Sequence, residues 1–272
     1  MRIPRRRRAV PRPQRGIPLR AILPNAVTAL ALCAGLSGIR FAIGQQWDVA
    51  VLMVLVAAVL DGIDGRIARF VRGESRFGAE LDSLSDAISF GVSPALILFL
   101  WSLKDVPKLG WAVALVYALF CALRLARFNA AIDQTHQPHK SAGYLTGVPA
   151  PAGAALALVP MYLWLSTDLP LFRSPLVVAP WTGLVALLMV SSLATWSGSS
   201  LRLRQRIRFE AVAMLVVIAA ALVSAPWPTL TVLALAYLAT LPFSMRGYRR
   251  VRRLREAVRG PSSASEPAAP EA

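Results

Sequence analysis

Apolar runs of about 20 residues recur along this chain from one end to the other, and that is the length an α-helix needs to cross the hydrocarbon core of a bilayer. Eight are readable, near 22–43, 47–66, 80–103, 110–128, 149–166, 175–197, 209–225 and 227–245. The last two are parted only by Ala225-Pro226-Trp227-Pro228 and pair as a hairpin. Of the 272 residues 56% are apolar and 16% charged, against about 25% charged in a soluble globular domain. The class these runs predict is a polytopic membrane protein.

A formal net charge of +16 invites a nucleic-acid reading, but the placement of the charge argues against it. Of the 30 Lys and Arg, eight lie in residues 1–20, four in 66–76, three in 124–140, four in 202–208 and seven in 246–259. Only Arg40, Lys104, Lys108 and Arg173 are left for the other side. Alternate loops are therefore basic, the pattern that keeps positive loops in the cytoplasm and places both termini there. Basic loops of this kind meet anionic lipid; no nucleic-acid partner is expected.

The Arg/Pro-rich opening RIPRRRRAVPRPQRGIPLR precedes an apolar stretch too long for a signal-peptide core, so residues 1–20 read as a basic tail before a retained helix. Residues 247–272 read as a second tail, basic and then low in complexity, ending SSASEPAAPEA. Between them, 21–246 reads as one membrane domain without an internal repeat. Cys33 and Cys121, 88 residues apart and each inside a span, read as ordinary buried thiols.

One stretch departs from this oily background. DGIDGRIARFVRGESRFGAELDSLSD, residues 61–86, carries Asp61 and Asp64 three apart near the end of the second span, and Asp82 and Asp86 four apart at the start of the third. Those spacings set each pair on one helical face. Two antiparallel helices joined by the polar turn VRGESRFG bring the four carboxylates to one locus. A carboxylate near a bilayer centre costs on the order of 3 kcal/mol, so four unpaired ones cost roughly 10 kcal/mol, the stability of a whole domain. Interfacial water and Arg66, Arg69, Arg72 and Arg76 offset part of this in a plain surface ion-pair cluster. An ion pathway is another reading, and a pair of divalent cations a third; hard oxygen ligands favour Mg2+ or Mn2+. Gly65, Ala68 and Gly78 share the acidic faces. Small residues there serve close helix packing, or clear room for a bulky ligand whose phosphate Arg69 meets as a charged donor.

These residues resemble a known family. Asp61, Asp64-Gly65, Ala68-Arg69, Gly78, Asp82 and Asp86 reproduce the complete signature of the CDP-alcohol phosphatidyltransferases, D-x2-D-G-x2-A-R-x8-G-x3-D-x3-D, without departure. The resemblance implies an all-α, integral-membrane helical bundle, commonly a homodimer, that displaces CMP from a CDP-linked lipid with an alcohol. It implies a multi-pass enzyme of the cell's inner (plasma) membrane, its active site facing the cytoplasm. It also implies that Asp61, Asp64, Asp82 and Asp86 bind Mg2+ or Mn2+, that Asp86 is the general base as well, and that Gly65, Ala68, Arg69, Ser75 and Gly78 lie against the cytidine-diphosphate lipid.

Further blocks resemble the phosphatidylserine-forming branch of that family: LPNAVTALALCAG, where Asn25 and Thr28 approach the nucleotide or simply begin a helix, then ELDSLSDAISFGVSPAL, ALRLARFNAA and TGVPAPAGA. The expected substrates are CDP-diacylglycerol and L-serine. Serine's carboxylate needs a cation, and Arg124 and Arg127, one turn apart near Asn129, offer a fork that suits it; anchoring by snorkelling arginines is the alternative. Glycerol 3-phosphate, inositol phosphate or choline as acceptor, and a cation or proton transporter, are the rival readings. His136 and His139 fall in the loop DQTHQPHKSAG, where the intervening proline breaks any helix that would pair them on a metal.

Overall fold

The computed structural model describes residues 19–71, 75–132, 144–191, 194–196 and 207–259. Arg72, His136, His139 and, of the two outer tails, residues 1–18 and 260–272 lie outside the described residues. The described residues are helical almost throughout. Helix α1 spans Leu19–Ile43 and α2 Trp47–Phe70. Helix α3, Arg76–Asp86, runs through a wide π-type turn at Ala87–Val92 into α4, Ser93–Trp101, as one rod. Helix α5 follows over Pro107–Ile132, then α6 over Ala150–Ala157, α7 over Val159–Thr167, α8 over Pro170–Arg173 and α9 over Pro175–Val190. Helices α10, Ile207–Ser224, and α11, Pro226–Arg259, form the terminal hairpin.

Proline punctuates this order. Helices α5, α8, α9 and α11 begin on one, where the missing N–H costs nothing and the fixed φ suits a first turn. Pro160 works the other way. It cannot donate to the carbonyl of Leu156, and the helix breaks at Leu158 between α6 and α7.

Among the described residues, four stretches are long and apolar enough to cross a membrane: Ile22–Ile43, Arg76–Trp101, Pro107–Ala130 and Ala150–Thr167. Pro175–Val190 and Val212–Ser224 are apolar but shorter. The expected sixth run, 175–197, differs from what forms, because α9 stops at Val190. Past it, β2, Ala194–Trp196, pairs antiparallel with β1, Tyr144–Thr146, in a two-stranded ribbon that adds a small β element to the helical class. Helix α11 continues through the basic segment to Arg259.

In lipid, helices gain little from burying apolar surface against one another; close packing and interhelical hydrogen bonds hold them. The packing of α1 on the α3–α4 rod is of this kind. Ser85 Oγ donates to the Thr28 carbonyl at 3.3 Å, Ser89 Oγ to Ala31 at 3.3 Å and Ser93 Oγ to Gly35 at 2.8 Å. A Cβ on Gly35 would stand 2.5 Å from Ser89 Oγ, so only glycine allows this approach. Phe90, Ile97, Leu98 and Trp101 of the rod share the buried interior with Tyr117 of α5 and Tyr162 of α7.

At the end of the bundle where α2 begins, Arg173 is clasped by aromatic rings. Its guanidinium lies 5.4 Å from the Trp164 ring centre and 5.9 Å from that of Trp47, and its Nε donates to the Trp101 carbonyl at 3.1 Å. This accounts for one of the four cations outside the basic stretches. The acidic residues sit at the other end of α2.

Candidate metal and active site

Asp61 and Asp64 occupy the last turns of α2, and Asp82 and Asp86 the last two turns of α3. The N-terminal part of α1 lies across both helices. One oxygen each from Asp61, Asp64 and Asp82 falls within 4.8 Å of the others. Asp86 stands behind them, its carboxyl within hydrogen-bonding reach of Asp61. Carboxylates this close repel unless a cation sits among them. Three hard oxygens converging on one point fit a Mg2+ or Mn2+ ion, with further positions left for water or phosphate.

Asp64 is buried, 4% exposed. The hydroxyl of Thr28 on α1, likewise buried, donates to Asp64 Oδ2 at 2.7 Å and so fixes the direction its carboxylate faces. Beside these residues opens a cleft of about 240 Å³, lined by Pro24, Asn25, Thr28, Asp64, Gly65, Ala68, Ser75, Gly78, Ala79 and Asp82. Nearly every residue assigned to the CDP-lipid by resemblance thus lines one cavity.

The glycines of the cleft do different work. A Cβ on Gly65 would meet nothing within 4 Å, so its bare face is turned to the open cleft. A Cβ on Gly78 would stand 2.8 Å from Asn25 Oδ1 and 3.1 Å from Ser75 Oγ, so Gly78 lets α1 and the start of α3 close together. Ser75 is the N-cap of α3, its Oγ accepting from the Gly78 N–H at 3.0 Å. Arg69 lies beside the cleft rather than in its lining; its Nε donates to the Gly65 carbonyl at 3.0 Å, which steers the guanidinium back along α2.

The three residues expected near the alcohol separate clearly. Arg127 donates from both terminal nitrogens to the end of α9, to the Val190 carbonyl at 2.9 Å and to Ser191 at 3.1 Å, where a cation suits the helix terminus. Asn129 Nδ2 donates to Ser83 Oγ at 2.8 Å and ties α5 to α3. Arg124 lies close enough to Asp86 to act on its charge, and its buried Nε has no partner among the described residues. Tyr237 on α11 is a neighbour of Arg124 that sequence reading missed; its buried hydroxyl is also without a partner among the described residues. No spacing tied it to the acidic motif, 151 positions earlier at Asp86. Tyr117 and the row Ser85, Ser89, Ser93 were missed as well, although the row's spacing of four was visible.

This is the arrangement of a CDP-alcohol phosphatidyltransferase, and the chain belongs to that family: the family's model matches residues 21–253. Among its relatives, the protein of Mycobacterium tuberculosis (strain H37Rv) named CDP-diacylglycerol–serine O-phosphatidyltransferase is 39% identical over 239 residues, covering 88% of this chain and 83% of its own. The protein of the same name from Mycobacterium leprae is 38% identical over the same length, covering 88% and 79%. That from Helicobacter pylori (strain 26695) is 38% identical over 138 residues, 51% of this chain and 56% of its own.

Proposed function

We propose that this protein transfers the phosphatidyl group of CDP-diacylglycerol to the hydroxyl of L-serine, releasing phosphatidylserine and CMP. The observation that carries the reading is the convergence of Asp61, Asp64 and Asp82 oxygens within 4.8 Å beside the open face of Gly65. An acidic cluster opening into a cleft of small residues, with Asn25, Thr28 and Ser75 among its walls, suits a pyrophosphate held together with a divalent cation. The names of the relatives support serine as the alcohol.

Asp61, Asp64, Asp82 and Asp86 would hold the metal, Mg2+ or Mn2+. When bound, it neutralises charge on the leaving phosphate and polarises the phosphoryl group under attack. Gly65, Ala68, Gly78 and Ser75 give the cytidine diphosphate its room, Asn25 and Thr28 close the cleft from α1, and Arg69 contributes charge at its rim. Asp86 takes the proton from serine's hydroxyl, which is far too weak an acid to attack unaided at neutral pH. The serine oxygen then bonds to the phosphorus esterified to diacylglycerol, the bond from that phosphorus to the CMP oxygen breaks, and CMP leaves with the electron pair. Arg124, close enough to Asp86 to act on its charge and with an uncommitted Nε, is the group best placed for serine's carboxylate; Arg127 and Asn129 support it by tying α5 to α9 and to α3.

The basic loops support a cytoplasmic site in a multi-pass protein of the inner (plasma) membrane, with up to eight spans and both termini inside. On this reading 21–246 is the catalytic membrane domain between two basic tails, and the family's habit supports a homodimer. The test is direct. Purified protein given CDP-diacylglycerol, labelled serine and Mn2+ or Mg2+ yields phosphatidylserine and CMP, stops with EDTA and restarts with added metal. CMP release with another alcohol but none with serine would reassign the acceptor; activity surviving thorough chelation would remove the metal.

A further inference from the structure

Asp86 ends α3, and the wide turn Ala87–Val92 begins at the next residue. Pro94 accounts for that turn. A proline within a helix has no N–H for the carbonyl four residues back, and its ring clashes with that carbonyl. Here the carbonyl belongs to Phe90. The helix opens to i→i+5 bonding, with the Ser93 N–H donating to the Ile88 carbonyl. The Phe90 carbonyl receives the hydroxyl of Tyr117 from α5 at 3.0 Å, and both residues are buried. Gly91 allows α5 this close, since a Cβ there would stand 3.2 Å from Cys121 Cβ.

The widening decides which way Asp86 faces. In a regular helix, residues four apart drift by about 40° at each step. Ser89 and Ser93 would then lie about 40° and 80° round from Ser85. All three nevertheless donate to α1. The wide turn absorbs the drift, so the rod keeps its serine row on α1 while Asp82 and Asp86 face α2. Closing the turn with Ser93 still docked would rotate the Asp86 end of the rod away from Asp61.

We infer that Tyr117 is a positioning residue for the reaction: by bonding the Phe90 carbonyl that Pro94 leaves without an amide, it holds the wide turn open and so holds the Asp86 carboxyl beside Asp61. The inference rests on the reading of Asp86 as the base.

The test compares Tyr117→Phe with the double variant Pro94→Ala/Tyr117→Phe in full-length purified protein, measuring CMP release and the thermal midpoint. Tyr117→Phe lowers kcat about tenfold, with both KM values held within about twofold, because the reacting groups are misaligned rather than unbound. Its midpoint also falls, since a buried carbonyl has lost a donor. Adding Pro94→Ala gives that carbonyl a backbone amide. The midpoint recovers while kcat stays low, because the satisfied turn is now a closed one. A double variant that regains kcat together with its midpoint would make Tyr117 merely structural and overturn the inference, as would wild-type kcat in Tyr117→Phe. Either result leaves wild-type turnover, and with it the proposed function, standing. Asp86→Asn assayed alongside separates the two: full turnover there removes the base and this inference together.

Discussion

The hydroxyl of Thr28 donates to Asp64 Oδ2 at 2.7 Å, joining helices through residues 36 positions apart. Asp64 is buried, and the only further acceptor for Thr28 among the described residues is the Pro24 carbonyl of its own helix at 3.1 Å. The bond orients a carboxylate that shares a point in space with Asp61 and Asp82.

Thr28→Val keeps the shape and removes the donor. Groups that orient a metal's ligands are worth about 10–100-fold in metal affinity or activity. The variant is therefore expected to need about 10–100-fold more Mn2+ for half-maximal thermal stabilisation. Thr28→Ser restores the wild-type requirement. Equal requirements in all three proteins would show that Asp64 needs no orienting.

Gly65→Ala pulls stability and binding in opposite directions. Replacing a mid-helix glycine by alanine stabilises by roughly 0.5–1 kcal/mol where the new methyl fits, and here it meets no protein atom within 4 Å. The same methyl projects into the cleft. A thermal midpoint at or above wild type, with KM for CDP-diacylglycerol raised about tenfold or more, is the expected pair of results. An unchanged KM would move the nucleotide elsewhere.

Asp86→Asn retains size and hydrogen-bonding capacity and loses the base. General-base catalysis contributes about 10²–10⁴-fold, so turnover is expected to fall by about that factor. Binding of CDP-diacylglycerol, followed by equilibrium titration, persists because the cleft itself is lined by other residues. Turnover near wild type would take Asp86 out of the chemistry.

The acidic motif was legible because spacing of three and four on a helix is geometry: it put Asp61 and Asp64 on one face and Asp82 and Asp86 on another, and the fold brings the faces together. The apolar runs near 110, 175 and 227 also matched helices, which begin at Pro107, Pro175 and Pro226, whereas the short helix at Pro170 was not read. What stayed hidden depends on contacts between distant segments. Hydropathy reads 175–197 as one span, yet Ala194, Thr195 and Trp196 pair instead with Tyr144, Leu145 and Thr146, a partnership no local pattern encodes. Arg124 and Arg127 look alike in sequence, one turn apart with equal charge. Only the position of the α9 terminus tells them apart.

That difference supplies a paired test. Arg127 is fully engaged, with both terminal nitrogens on carbonyls at the end of α9 at 2.9 and 3.1 Å, whereas Arg124 lies close enough to Asp86 to act on its charge and has a buried Nε with no partner among the described residues. A hydrogen bond to a charged group contributes about 1.5–3 kcal/mol, or roughly 10–100-fold in affinity. Arg124→Ala is accordingly expected to raise KM for serine by roughly 10–100-fold, with KM for CDP-diacylglycerol unchanged, while Arg127→Ala lowers the thermal midpoint and leaves the serine KM alone. Arg124→Lys keeps the charge without the planar fork and should recover only part of the serine affinity. If the serine KM instead tracked Arg127 and ignored Arg124, the carboxylate would sit at the α9 end of α5, and the alcohol would approach the acidic cluster from that side.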